Sequence, residues 1–314
     1  MLYVGRDAVP HAASSVAAAR AGGLRGAYVT NNASRRPAVV AAHLTELGIP
    51  AEAEDVVTSA QAAARWLAAR FPAGSPVLVL GTEGLAEEVA GVGLVPVRSA
   101  DDGPVAVVQG LAPETGWREL SEAALAVRAG AVWVAGNTDA TYPSARGPVP
   151  GNGAMVAAVA AATGQSPVVV GKPEPDLHLE SVRRVGATRP LVVGDRLETD
   201  VLGAVRGDAD SLLVLTGVVD REALLAAPAG MRPTYVSADL RGLLRPQPPV
   251  VLDGTTVTCG AASARWDDEH LRVRGEGDEA LRAACALTWA RADATTAGPS
   301  ARVRADATTA GPAA

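Results

Sequence analysis

Leu191-Val192-Val193-Gly194-Asp195-Arg196-Leu197-Glu198-Thr199-Asp200 reads as a short β-branched run, a glycine, a polar loop and the first turn of a helix. Strand, loop and helix within ten residues predict a β-α unit with its polar loop at the carboxyl end of a strand. The pattern recurs on either side. Residues 26–29 form a strand that runs into Thr30-Asn31-Asn32, and Pro37 suits the first turn of the next helix, which stops at Gly48. Residues 168–170 form a strand that runs into Gly171-Lys172-Pro173-Glu174-Pro175, ahead of a helix to 185. Further strands at 55–58, 77–80, 105–109, 131–135 and 211–215 alternate with alanine-rich helices. Such alternation predicts an α/β fold with a parallel sheet.

The spacing also predicts an insertion. Residues 1–74 and 151–245 read as one α/β unit, interrupted at 75–150 by a smaller one. Residues 246–291 form an appendage in which 250–259 and 270–273 suggest antiparallel strands and 279–291 a helix. The rest, 292–314, is expected to be a disordered tail, because Arg291-Ala-Asp-Ala-Thr-Thr-Ala-Gly-Pro299 recurs at 304–312 with no aromatic side chain to bury.

Composition narrows the function. The 314 residues carry a net charge of −6, and the arginines are scattered, which argues against nucleic acid or an anionic membrane as partner. Two cysteines, Cys259 and Cys285, are too few for a disulfide framework. Without a leader pattern or a spanning apolar run, the chain is expected to be cytoplasmic. Of 28 cationic residues the only lysine is Lys172. In a chain so biased towards alanine and arginine, a lysine that persists marks a place where arginine does not serve. Asparagine is scarce too, and Asn31 and Asn32 stand side by side.

Three of the strand ends carry polar groups suited to a phosphate and a cation. Thr30 and Asn31 offer a hydroxyl and an amide that donate to phosphoryl oxygens without adding charge. Lys172 offers a compact point charge. Asp195 and Asp200 form an acidic pair of the kind Mg²⁺ takes together with phosphate oxygens and waters. Taken singly, each segment also reads as helix-capping or turn chemistry. His11, His43, His178 and His270 show no metal or triad spacing.

In that order, Thr-Asn-Asn, Gly-Lys-Pro and Gly-Asp-x-x-x-Thr-Asp resemble motifs II, III and IV of haloacid dehalogenase (HAD) superfamily phosphatases. The long insertion and the wording Val29-Thr-Asn-Asn-Ala-Ser34 are similar to the NagD-like branch (HAD-IIA), with its p-nitrophenylphosphatase- and phosphoglycolate phosphatase-like enzymes. The resemblance covers roughly residues 2–239. It implies a Rossmann-like parallel-sheet core with an α/β cap at 75–150, and hydrolysis of a small phosphorylated metabolite. Thr30, Asn31, Asn32 and Lys172 would bind the phosphoryl group, and Asp195 and Asp200 would hold Mg²⁺. Residues 137–143 are similar to the hinge between cap and core, and pairing of two copies through the cap is a further implication.

One motif departs from the family. Motif I, Asp-x-Asp-Gly-(Thr/Val), supplies the attacking carboxylate and the general acid. Members continue Asp-Gly-Val-Leu-Tyr-x-Gly, whereas this sequence opens Met1-Leu2-Tyr3-Val4-Gly5. The resemblance therefore places the catalytic aspartates, and the first strand, ahead of Met1, and the chain as given is expected to be inactive. The alternative is a truncated paralogue that binds anions or a partner without turnover. Val251-Leu252-Asp253-Gly254-Thr255 has Asp-Gly-Thr but a valine in place of the nucleophile, and reads as a strand turning at Gly254.

Overall fold

The computed structural model describes residues 1–4, 7–144 and 146–296. It packs as two units: Leu2–Val192 with Arg206–Ala209, and Val193–Val205 with Met1 and the chain from Asp210 onward.

The first unit opens with a small antiparallel hairpin, β1 (Tyr3–Val4) and β2 (Asp7–Ala8), and helix α1 (Ala12–Ala21). Strands β3 (Tyr28–Thr30) and β4 (Val56–Thr58) then pair in parallel, Thr30 opposite Thr58. Between them α2 (Pro37–Glu46) begins on Pro37, where a missing N–H leaves no bond unmade. Thr58 starts α3 (Ser59–Ala68) through a capping box, its hydroxyl accepting from Gln61 N while the Gln61 side chain accepts from Thr58 N.

A larger sheet follows. Strands β5 (Pro76–Leu80), β6 (Val95–Val97), β7 (Ala106–Gln109) and β8 (Val132–Ala135) come before the hairpin β9 (Thr141–Ser144) and β10 (Gly147–Pro150), and β11 (Val168–Val169) comes after it. The order β11-β8-β7-β5-β6 is parallel throughout. Successive side chains of a strand point to opposite faces, and here both faces are covered. Val77 and Val79 pack with Leu85, Ala86 and Val89 of α4 (Glu83–Gly91) and with α3. Leu78 and Leu80 pack with Ala123 and Val127 of α5 (Trp117–Arg128) and with Val156 and Val159 of α6 (Asn152–Thr163). Helix α7 (Asp176–Val185) is fastened by Arg184, which donates to Val56 O and to the Gln61 side chain. Glu180 is buried on the same helix. Burial opposes its ionisation, but Arg183, Arg184 and Arg65 hold its carboxyl below the usual range.

In the second unit β12 (Leu191–Gly194), β13 (Asp210–Val214) and β14 (Tyr235–Ser237) form a three-stranded sheet in that order, with β13 and β14 parallel. A wide turn at Leu197–Val201 leads into α8 (Leu202–Arg206), and α9 (Arg221–Leu225) is capped by the Asp220 side chain. The appendage is an antiparallel meander, β15 (Val250–Asp253), β16 (Thr256–Cys259), β17 (Ala262–Asp267) and β18 (His270–Arg274), with α10 (Gly277–Thr296) packed on it. Cys285 of α10 lies among Leu213, Leu224 and Val236, and burial pushes its thiol up to about 12.

The mixed α/β architecture is the one the alternating pattern predicts. Several elements are additional, among them the β1–β2 hairpin, α9, β14 and β17. Strand β6 contains Pro96, which reads against a strand but is tolerated at the sheet edge where β6 lies. The Pro/Gly-rich connection 142–153 holds the β9–β10 hairpin. Helix α10 runs to Thr296, into the first copy of the repeat, because Ala292-Asp-Ala294 favours continuation of the helix. The rest of the repeat lies outside the described residues. Among the described residues no helix is long and apolar enough to cross a membrane.

Candidate active site

In the first unit Thr30, Asn31, Asn32 and Lys172 come together. Thr30 ends β3, and its hydroxyl oxygen accepts the Asn32 N–H at 3.1 Å. Asn32 Oδ1 accepts from Ser34 N, Ser34 Oγ and Arg35 N at 2.7, 2.7 and 3.2 Å. The loop is thus tied by its own side chains, as Thr and Asn turns are. A hydroxyl has one proton to give and an amide two. Thr30 O–H and Asn32 Nδ2–H₂ donate to no described residue, so these groups remain available to a ligand at the strand end. Both residues are half-buried.

Asn31 behaves differently. Its Oδ1 accepts the Lys172 N–H at 2.7 Å, and its Nδ2 donates to Lys172 O at 3.0 Å and to Asp139 Oδ1 at 3.5 Å. Both amide protons are committed to the protein. The lysine loop approaches so closely that a Cβ on Gly171 would stand 2.1 Å from Gly136 O and 2.8 Å from Asn31 Oδ1, so only glycine fits.

In the second unit the structure brings Asp195 and Asp200 together. Asp200 is 5% exposed, and its Oδ2 accepts the N–H groups of Asp195 and Arg196, both at 3.2 Å. Asp195 Oδ2 accepts Val218 N–H at 3.3 Å, and the amino nitrogen of Met1 lies 3.4 Å from Oδ1. Two glycines make room. A Cβ on Gly217 would lie 1.8 Å from Asp195 Oδ2, and one on Gly194 would lie 2.2 Å from the Asp200 Cβ. Asp200 therefore braces the loop that carries Asp195. Among the described residues no three of His, Cys, Asp and Glu converge as a metal cluster. An oxygen set of one or two carboxylates still suits Mg²⁺, whose shell is completed by phosphate and water.

Asn137, at the start of the segment read as a hinge, and Ser59 and Asn152, which sequence reading did not single out, complete the network. Asn137 Nδ2 and Ser59 Oγ both donate to Asn31 O at 2.7 Å, and Asn152 Nδ2 donates to Asn137 O at 2.6 Å. Val251-Leu252-Asp253-Gly254-Thr255 turns at Gly254 (φ 58°) between the antiparallel strands β15 and β16, and β15 is exposed along its length. It is a surface hairpin.

Comparison with known proteins gives matches along most of the chain. Residues 1–95 match a family of haloacid dehalogenase-like hydrolases, and residues 169–243 a family described as HAD-hydrolase-like. The chain is 48% identical over 300 residues to D-glycerol 3-phosphate phosphatase of Mycobacterium tuberculosis, spanning 92% of this chain and 83% of that protein. It is 35% identical over 246 residues to acid sugar phosphatase of Staphylococcus saprophyticus, spanning 78% and 93%. Among solved structures, glycerol phosphate phosphatase of Mycobacterium tuberculosis in complex with magnesium superposes with a TM-score of 0.80 at 47% identity, over 92% of this chain and 87% of that one. The p-nitrophenyl phosphatase from Archaeoglobus fulgidus superposes with a TM-score of 0.70 at 30% identity, over 75% and 91%.

Proposed function

The chain belongs to the haloacid dehalogenase superfamily of phosphatases, and from that premise we propose a Mg²⁺-dependent phosphomonoesterase of the p-nitrophenylphosphatase-like branch, acting on a small phosphorylated metabolite. The observation that carries the proposal is the set of donors left over at the end of β3, Thr30 O–H and Asn32 Nδ2–H₂, beside the clamped Lys172 loop. Uncharged donors together with one ammonium match the oxygens of a phosphate monoester, and aimed where charge develops they stabilise the transition state. A small polyol or sugar phosphate is the substrate class that the named activities of the relatives support.

Asp195 and Asp200 would serve Mg²⁺, Asp195 as the direct ligand and Asp200 by holding the loop that presents it. When bound, the ion supplies charge neutralisation at the phosphoryl oxygens. Phosphoryl transfer in this family runs through an aspartyl-phosphate. A carboxylate oxygen bonds to phosphorus as the ester oxygen leaves with a proton from a second aspartate, and water then hydrolyses the acyl phosphate. No Asp-x-Asp-Gly occurs in the 314 residues. These residues alone are therefore expected to bind phosphate without cleaving it. Residues 75–150 would act as the cap that excludes water and selects substrate, and the place of pairing between two copies. The setting would be the cytoplasm, with neither nucleic acid nor membrane as partner.

The metal assignment is tested by titrating the chain with Mg²⁺ in a calorimeter. Asp195→Asn is expected to raise the half-saturating concentration at least ~10-fold with little change in Tm, because it removes the ligand charge. Asp200→Asn is expected to shift it less and to lower Tm, because it loosens the bonds to Asp195 N and Arg196 N. Equal shifts from the two variants would show that the direct ligand has been misassigned.

A further inference from the structure

The chain contains four asparagines, Asn31, Asn32, Asn137 and Asn152. Three are joined to one another by hydrogen bonds, the fourth is the next residue along, and the chain's only lysine is held by the first. A sequence that elsewhere favours alanine and arginine has gathered all its asparagines and its one lysine in one place.

We propose that Asn31 is a positioning residue that fixes the backbone of Lys172 rather than a ligand of the phosphoryl group, with Asn137 and Asn152 fixing Asn31 in turn. The inference rests on the phosphate-binding role of Lys172 put forward above. Asn31 engages both backbone polar groups of Lys172, accepting from N–H at 2.7 Å and donating to C=O at 3.0 Å. That two-point grip needs a donor and an acceptor on one short, flat group. Aspartate offers acceptors alone, serine a single oxygen, and glutamine a longer reach into a space already closed by Gly171.

The backbone of Asn31 is itself held. Its carbonyl accepts from Ser59 Oγ and Asn137 Nδ2, and Asn137 Oδ1 accepts from Asp139 N at 3.2 Å, which presents Asp139 to Asn31. Asn137 and Asn152 are 4% and 1% exposed, so losing a partner here leaves a buried polar group unpaired. The relay sets where the Lys172 stem leaves the backbone, relative to the donors of Thr30 and Asn32 one residue to either side of Asn31.

The single lysine makes this measurable. A chain labelled with nitrogen-15 lysine gives one backbone amide signal, that of Lys172, and carbon-13 labelling gives one lysine side chain to follow against inorganic phosphate in the presence of Mg²⁺. The wild-type amide is expected to exchange slowly with deuterium, and Asn31→Ala to speed exchange at least ~10-fold and raise the half-saturating phosphate concentration by at least ~10-fold. Asn31→Asp keeps an acceptor for the amide and loses the donor, so exchange should stay slow while phosphate binding weakens. That pattern separates the clamp from a general loss of fold. A wild-type amide that exchanges as fast as in Asn31→Ala, or phosphate binding that Asn31→Ala leaves unchanged, overturns the proposal. A Lys172 side chain that ignores phosphate in the wild-type chain overturns the phosphate-site reading, and this inference with it.

Discussion

Preceded by an Asp-x-Asp-Gly segment, the chain is expected to release p-nitrophenol from p-nitrophenyl phosphate on the order of 10⁴-fold faster than the 314 residues alone. The 314 residues offer the donors of Thr30 and Asn32 and the charge of Lys172 proposed for the phosphate, and the carboxylates of Asp195 and Asp200 proposed for Mg²⁺. None of these is an attacking group. Enzymes stripped of a nucleophile retain what binding and electrostatics supply and lose the covalent route. The other Asp-Gly-Thr of the chain cannot replace it, since Asp253 stands on an exposed antiparallel hairpin. Equal rates with and without the added segment would show that the residues described here carry their own nucleophile.

In that extended chain, Lys172→Arg is expected to lower kcat/KM by about 100-fold, the loss that follows removal of one well-placed donor. The charge is unchanged, so the loss is one of shape. Asn31 fixes the Lys172 backbone at both its N–H and its C=O, and Gly171 lies against Gly136 O with no room for a Cβ. The loop cannot draw back to admit a guanidinium, which is wider and donates in a rigid plane. The Tm should hardly move. Wild-type turnover by Lys172→Arg would make the persistence of a single lysine an accident of composition.

Much of the fold was legible because parallel βαβ units alternate visibly, and the chemistry could be placed because each polar run follows a strand. Residues 30–32, 171–175 and 194–200 all leave the carboxyl side of short β-branched runs, and the structure puts strands ahead of each. Strand β6 was hidden by Pro96, and the β9–β10 hairpin by a stretch rich in proline and glycine. The end of α10 was hidden by a repeat whose lack of large apolar groups outweighed the helix propensity of its alanines. Within the site, the types of residue were readable but not the division of labour. Asn31 and Asn32 are the same residue in sequence, yet one spends both amide protons on the protein and the other keeps them. Only the hydrogen-bond partners separate them. Asn137 and Asn152 were within reach of the scarcity that singled out Asn31, but the bond from Asn137 to Asn31 spans 106 positions and Asn152 reaches the site only through Asn137.

The central claim, that the Lys172 loop and the end of β3 form a phosphoryl-binding site, is tested most directly by calorimetric titration of this chain with inorganic phosphate in the presence of Mg²⁺. The account predicts one saturable site in the wild-type chain and at least ~100-fold weaker binding in Lys172→Ala at unchanged Tm. Phosphate binding that Lys172→Ala leaves as it was, or no binding by the folded wild-type chain, would contradict it.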